Sequence, residues 1–196
     1  MTQVFTRLPI ETKRPRRAHI FARAADDRYI EPEWCSRRLL EEESFAGTIH
    51  DPAAGTGRIL ASARAAGFKA TGADISPLSA DIRAIDFLKD RAKRDNTISN
   101  PPYGAMREFA LHALKHTRRK VALLVPLARL NAAHWIQETP LRRVWLLSPR
   151  PSIPPHSYLL AGCKAKGGRP DFCWLVWERD FDGERTLDWL MRDRVP

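Results

Sequence analysis

The residues in this chain best suited to chemistry are Asn100, Pro101, Pro102 and Tyr103. The Asn100 side chain offers an amide oxygen as acceptor and an NH2 as donor, the Pro101 carbonyl offers a second acceptor, and Tyr103 offers a flat apolar face. Two prolines withhold N–H groups and stiffen the path. A planar group bearing an NH2 fits such a loop: it donates to the Asn100 oxygen and the Pro101 carbonyl while Tyr103 stacks on its ring. Plain turn chemistry accounts for the same run equally simply.

Three acids stand in comparable places. Residues 47–51 read as a short strand ending in Asp51, followed by Pro52-Ala53-Ala54-Gly55-Thr56-Gly57 and a helix from Arg58 that Gly67 closes. The glycines are not followed by Lys-Ser/Thr, so a phosphate-cradling loop is disfavoured. Asp51 at the turn suits a ligand with positive charge and no phosphate. A second strand, 70–73, ends in Asp74, 17 residues beyond Gly57, where an acid accepts both hydroxyls of a ribose. A third strand end carries Asp86 and Phe87, which could meet an adenine edge and face or simply cap the next turn.

These positions require alternating strands and helices. Thr97 and Ile98 lead into the Asn100 loop, and Met106, Phe109, Ala110, Ala113 and Leu114 give the following helix an apolar face. Residues 121–125 form an apolar run typical of a strand buried on both sides. Further strands are expected at 142–147 and 173–178, further helices after Pro32, after Ser76-Pro77 and, briefly, over 127–135. The expected fold is therefore α/β, a doubly wound, mostly parallel seven-stranded sheet with an antiparallel last strand. In an open parallel sheet Asp51, Asp74, Asp86 and Asn100 share one edge, where ligands bind.

At 196 residues the chain has the length of one ordinary domain, read here as 25–196, preceded by a basic arm over 1–24. Six Lys/Arg against Glu11 alone in the first 25 residues also fit a transit peptide superficially. A long loop over about 148–171 carries prolines and cations, including Lys164, Lys166 and Arg169. With 33 Lys+Arg against 23 Asp+Glu, a net charge of +10 and a pI near 10.1 favour a polyanionic partner, most simply nucleic acid. Cys35, Cys163 and Cys173 form no CxxC pair, and His50, His112, His116, His134 and His156 are not at ligand spacing, so no metal is expected. No apolar run has the length of a membrane span, and a cytoplasmic location is expected.

The Asp-Pro-Ala-Ala-Gly-Thr-Gly run at 51–57, Asp74, Asp86-Phe87 and Asn-Pro-Pro-Tyr at 100–103 together resemble the class I methyltransferases dependent on S-adenosylmethionine (AdoMet). The likeness is to the N6-adenine DNA methyltransferases, in a short phage or prophage form. It covers roughly 27–180. It implies that Asp51, Ala53, Gly55 and Gly57 line the methionine end of AdoMet, Asp74 binds the ribose, Ile75 packs on the adenine, and Asp86 bonds the adenine amino group beside Phe87. Tyr29 and Pro32 match the family's Tyr-x-Thr-Pro element, which closes over the cofactor and so implies cofactor contacts for both, with Glu31 where Thr is usual. Asn100 to Tyr103 would be catalytic, and Lys164, Lys166 and Arg169 would hold the nucleic acid. The loop senses only a planar NH2, so RNA adenine and a glutamine amide are alternative acceptors, and a non-catalytic nucleic-acid-binding protein on the same fold is a further reading.

Overall fold

The computed structural model describes residues 28–163 and 170–193. The arm over 1–24 and the loop cations Lys164, Lys166 and Arg169 lie outside the described residues. Helix α1 (Glu33–Glu42) precedes β1 (Ile49–Asp51), α2 (Arg58–Ala65), β2 (Ala70–Asp74), β3 (Ile82–Ala84) and β4 (Asn96–Ser99). Then follow α3 (Met106–His116), β5 (Lys120–Pro126), β6 (Leu141–Ser148), α4 (His156–Leu160), β7 (Phe172–Glu178) and β8 (Thr186–Met191). One sheet results, in the order β3-β2-β1-β4-β5-β7-β6-β8. Strands β1 to β5 run parallel, and β7 is antiparallel to both β5 and β6.

The expected architecture holds for seven strands, with the seventh antiparallel, and an eighth is added. β8 pairs parallel with β6 at the sheet edge. Its alternation is weak because only Leu190 is fully buried, while Leu187 and Trp189 are exposed. The helix expected after Ser76-Pro77 is absent; residues 75–81 form bends and turns. The Ser76 N–H donates to Asp74 Oδ1 at 2.9 Å and the Ser79 hydroxyl to Asp81 Oδ1 at 2.5 Å, local side-chain bonds that compete with helical ones. The 127–135 segment is 3-10 rather than α.

β5 explains why the sheet is covered on both sides. Ala122 and Leu124 join one core with Cys35 and Leu39 of α1 and Ile59 and Ala63 of α2, whereas Val121, Leu123 and Val125 join another with Phe109, Ala110 and Ala113 of α3. Gly72 lets the Gly-rich loop close on the sheet, since a Cβ there would stand 2.5 Å from Leu60 Cδ1 and 3.1 Å from Ala54 Cβ. The loop between β6 and β7 is pinned across the molecule: the Ile30 N–H donates to the Pro154 carbonyl at 2.9 Å and the His156 N–H to the Arg28 carbonyl at 3.0 Å. Residues 28–31 are thereby held over the strand ends that α1 alone would not reach.

Candidate active site

A cavity of about 400 Å³ opens at the carboxyl ends of the parallel strands. It is lined by Asp51 from the end of β1, Asp74 from the end of β2, Asp86 after β3 and Asn100 after β4. The four strand-end residues singled out by sequence thus meet in one cavity. Tyr29, Ala53, Gly55, Ile75, Phe87, Pro101 and Pro102 line it as well. Pro32, Gly57 and Tyr103 do not. Pro32 precedes the first turn of α1, and Gly57, at φ +81°, is the left-handed residue that starts α2.

The Gly-rich loop is tied to the neighbouring strand. The Ala54 N–H donates to the Ala73 carbonyl at 2.9 Å, and the Gly55 N–H donates to Asp74 Oδ2 at 2.9 Å. Asp74 therefore has one oxygen bonded to each of two loops, and the residue lines the cavity. Asp86 does two things at once: Oδ1 accepts the Leu88 N–H at 3.1 Å, while the residue borders the cavity beside Phe87. Its other oxygen, Oδ2, pairs with Lys89 Nζ at 3.1 Å.

Asn100 is fixed through its nitrogen. Nδ2 donates to the Tyr29 carbonyl at 2.8 Å and to Glu31 Oε2 at 2.9 Å, and Oδ1 accepts the Tyr103 hydroxyl at 2.7 Å. Both hydrogens of Nδ2 have acceptors, so the amide orientation is determined by its partners. Oδ1 keeps one lone pair beyond the Tyr103 contact. The Tyr103 ring is itself stacked on Tyr29, with centroids 5.8 Å apart and planes at 23°, and the residue is 9% exposed. It supports Asn100 from behind and does not present an open face to the cavity.

Glu31, which the sequence marks as a departure from the resembled element without giving it a role, has a definite place in the structure. This carboxylate is 5% exposed, lines the cavity and accepts from Asn100, while its own carbonyl accepts from Arg58 Nη1 at 3.1 Å. Its signal in the sequence is an acid between Ile30 and Pro32, at the place where the resembled element usually has Thr. Burial raises its pKa. Asp51 is affected more plainly: burial, and then the negative charges of Glu31 and Asp74, push it up to about 8, against bonds from the Ser99 hydroxyl at 2.7 Å and the Ala53 N–H at 3.1 Å. Two buried carboxylates with raised pKa in one cavity are what a cationic ligand would relieve.

A pH dependence follows. Asp51 is protonated in the folded state up to about pH 8 but only to about 4 when unfolded, so its contribution is full below pH 4 and is lost as pH rises through 8. His50, pushed down to about 4 by burial and by Arg94, contributes above pH 6.5 and loses that contribution as pH falls. The two oppose each other between about 4 and 6.5. From pH 6.5 to 8 His50 no longer opposes Asp51. Stability to urea should fall over that window by on the order of 1–2 kcal/mol, and Asp51→Asn should flatten the profile. A stability that is flat or rises from 6.5 to 8 would contradict the Asp51 assignment.

Among the described residues no group of three or more His, Cys, Asp or Glu can hold a metal ion, and no helix is long and apolar enough to cross a membrane.

No family model matches the chain, nor does any curated protein sequence. Solved structures do resemble it. The M protein of the type I restriction enzyme EcoKI matches at 14% identity and a TM-score of 0.55, over 86% of this chain and 49% of that one. A candidate RNA methyltransferase from Pyrococcus horikoshii matches at 16% identity and 0.52, over 74% and 81%. Magnesium protoporphyrin IX methyltransferase from Synechocystis, solved with bound S-adenosylmethionine, matches at 12% and 0.50, over 74% and 76%. At these identities the likeness is one of fold, and the chain has the Rossmann-like fold of the methyltransferases.

Proposed function

We propose that this chain transfers the methyl group of AdoMet to the exocyclic N6 amino group of adenine in DNA. The observation that supports the reading is the cavity that brings Asn100 and Pro101, which carry the acceptor pair, to the same space as the buried carboxylates Glu31, Asp51 and Asp74. AdoMet, when bound, supplies an electrophilic methyl group on a positively charged sulfur. The donor set fits it: acids without lysine at the Gly-rich loop, a strand-end Asp74 for ribose hydroxyls, and Ile75, Asp86 and Phe87 for an adenine. Tyr29, Ala53 and Gly55 would complete the cofactor wall, and Pro32 and Gly57 would hold its backbone from outside the cavity.

The chain's own residues then act on the acceptor. An exocyclic amine is a poor nucleophile because its lone pair is delocalised into the ring. Asn100 Oδ1 and the Pro101 carbonyl would accept its two hydrogens, draw the nitrogen toward tetrahedral geometry and stabilise the positive charge that develops as the N–C bond forms and the methyl's bond to sulfur breaks, that bond's electron pair staying on the sulfur as a neutral thioether. Pro102 stiffens the loop and Tyr103 braces Asn100. The surplus proton leaves the methylated nitrogen to solvent, so no strong base is required. A base inside a duplex cannot reach such a pocket, so the target is flipped out or single-stranded.

DNA is preferred on charge and on the likeness to a restriction-enzyme M protein. The acidic cavity would repel phosphates, so the backbone must be held around it. Exposed Arg107 and Arg129 follow the ends of β4 and β5 at that edge, and Arg150 follows β6. Lys164, Lys166 and Arg169 would extend this set. Replacing Arg107 and Arg129 with Gln should flatten the slope of log affinity against log salt by about 2 on duplex DNA. An unchanged slope would remove these arginines from the phosphate contacts.

The proposal is tested by offering AdoMet carrying a tritiated methyl group together with duplex DNA, single-stranded DNA, ribosomal RNA and a release factor in parallel. Label in DNA is expected. Label in RNA or in protein would retain the chemistry and replace the substrate, and no label in any arm, with no AdoMet binding, would favour the non-catalytic nucleic-acid-binding alternative.

A further inference from the structure

Glu31 is a buried carboxylate whose placement the fold enforces at several points. The segment bearing it is pinned to the 148–171 loop through the Ile30–Pro154 and Arg28–His156 backbone bonds, and Arg58 holds the Glu31 carbonyl. At 5% exposure a carboxylate is costly to bury unless a donor meets it. The donor it meets is the Nδ2 of Asn100, at 2.9 Å, with the Tyr29 carbonyl taking the other Nδ2 hydrogen at 2.8 Å. Turning the amide over would set Oδ1 against these two acceptors and Nδ2 against the Tyr103 hydroxyl. Such a rotation is therefore strongly disfavoured.

We infer that Glu31 is a positioning residue: by accepting from Asn100 Nδ2 it locks the amide so that Oδ1 is the atom offered to the acceptor amine. The inference rests on the methyl-transfer reading above. Its chemistry is a requirement of geometry and needs an acceptor atom at Glu31 Oε2, which a glutamine carbonyl also provides. A bond to a charged acceptor further polarises the amide and strengthens Oδ1 as an acceptor. Glu31 itself does not exchange a proton with the substrate in this scheme.

The test compares Glu31→Gln with Glu31→Ala in the full-length protein, with thermal melts to establish folding. At saturating AdoMet, Glu31→Ala should lower kcat by about 10–100-fold, because an amide held only by the Tyr29 carbonyl and the Tyr103 hydroxyl is less firmly oriented and misplaces the acceptor, whereas Glu31→Gln should stay within about threefold of the parent. Nitrogen-15 spectra supply a readout that needs no activity. The two side-chain amide protons of Asn100 should be shifted and slow to exchange in the parent and in Glu31→Gln, and in Glu31→Ala the one that faced Glu31 should move toward its free-asparagine value while the one on the Tyr29 carbonyl moves less.

Equal losses of kcat in both variants would overturn the inference, because Glu31 would then act by its charge. So would unchanged kcat in both. If the parent transfers no methyl to any acceptor while the Asn100 signals respond as stated, the clamp stands and the methyl-transfer reading fails; if methyl is transferred but the Asn100 signals are the same in all three proteins, the clamp fails alone.

Discussion

Asn100→Ala is expected to reduce kcat for methyl transfer by about 10²–10³-fold, the usual cost of deleting one preorganised polar contact to developing charge, with the AdoMet dissociation constant changed by less than about threefold. The separation follows from geometry. The Asn100 side chain is bonded to Tyr29, Glu31 and Tyr103, whereas the Gly-rich loop is organised by Asp51 and Asp74 through different atoms. The variant also leaves the Glu31 carboxylate without its donor, so it should be less stable by about 1–3 kcal/mol. Rates are therefore to be read well below its melting transition. Calorimetry with AdoMet checks the other half: a large loss of affinity would place Asn100 on the cofactor rather than on the amine.

The second large effect is expected at Asp74. Loss of charge-assisted hydrogen bonds to a ribose costs about 1.5–3 kcal/mol, so Asp74→Ala should weaken AdoMet binding by about 10–100-fold. Part of that loss comes from within the protein, because Asp74 also accepts the Gly55 and Ser76 N–H groups and so joins two loops of the cavity wall. Comparing AdoMet with methionine separates the contributions. A ribose contact predicts that Asp74→Ala weakens AdoMet far more than it weakens methionine. Equal weakening of both would make Asp74 a loop tie and nothing more.

Much of the site is legible in the sequence because its positions are punctuated locally. Asp51 precedes a Gly-rich turn, Asp74 ends an apolar strand, and Asn100 sits before two prolines, so each announces a strand end, and parallel topology brings the ends together. What is not legible depends on distant residues. Glu31 stands in a segment that the resemblance marks, but its contact with Asn100 depends on 28–31 being bonded to the loop beyond β6, and that pairing has no local signature. Tyr103 reads as a free stacking surface, yet Tyr29, far away in the chain, occupies its face. Ser76-Pro77 predicts a helix over the turn at 75–81, but Asp74, Ser79 and Asp81 supply local side-chain bonds that hold it otherwise. β8 is hidden by its place at the edge, where Leu187 and Trp189 face outward and the alternation of burial fades.

The central claim is that the amine gripped by Asn100 and Pro101 is the atom that receives the methyl group. It is tested most directly by incubating the protein with DNA and AdoMet bearing a deuterated methyl group, digesting to nucleosides, and identifying the labelled atom by mass spectrometry. The account predicts label on the N6 nitrogen of deoxyadenosine, and none in the Asn100→Ala variant. Label on a ring carbon, a ring nitrogen or a sugar hydroxyl would contradict it, because none of these presents two hydrogens to the Asn100 oxygen and the Pro101 carbonyl.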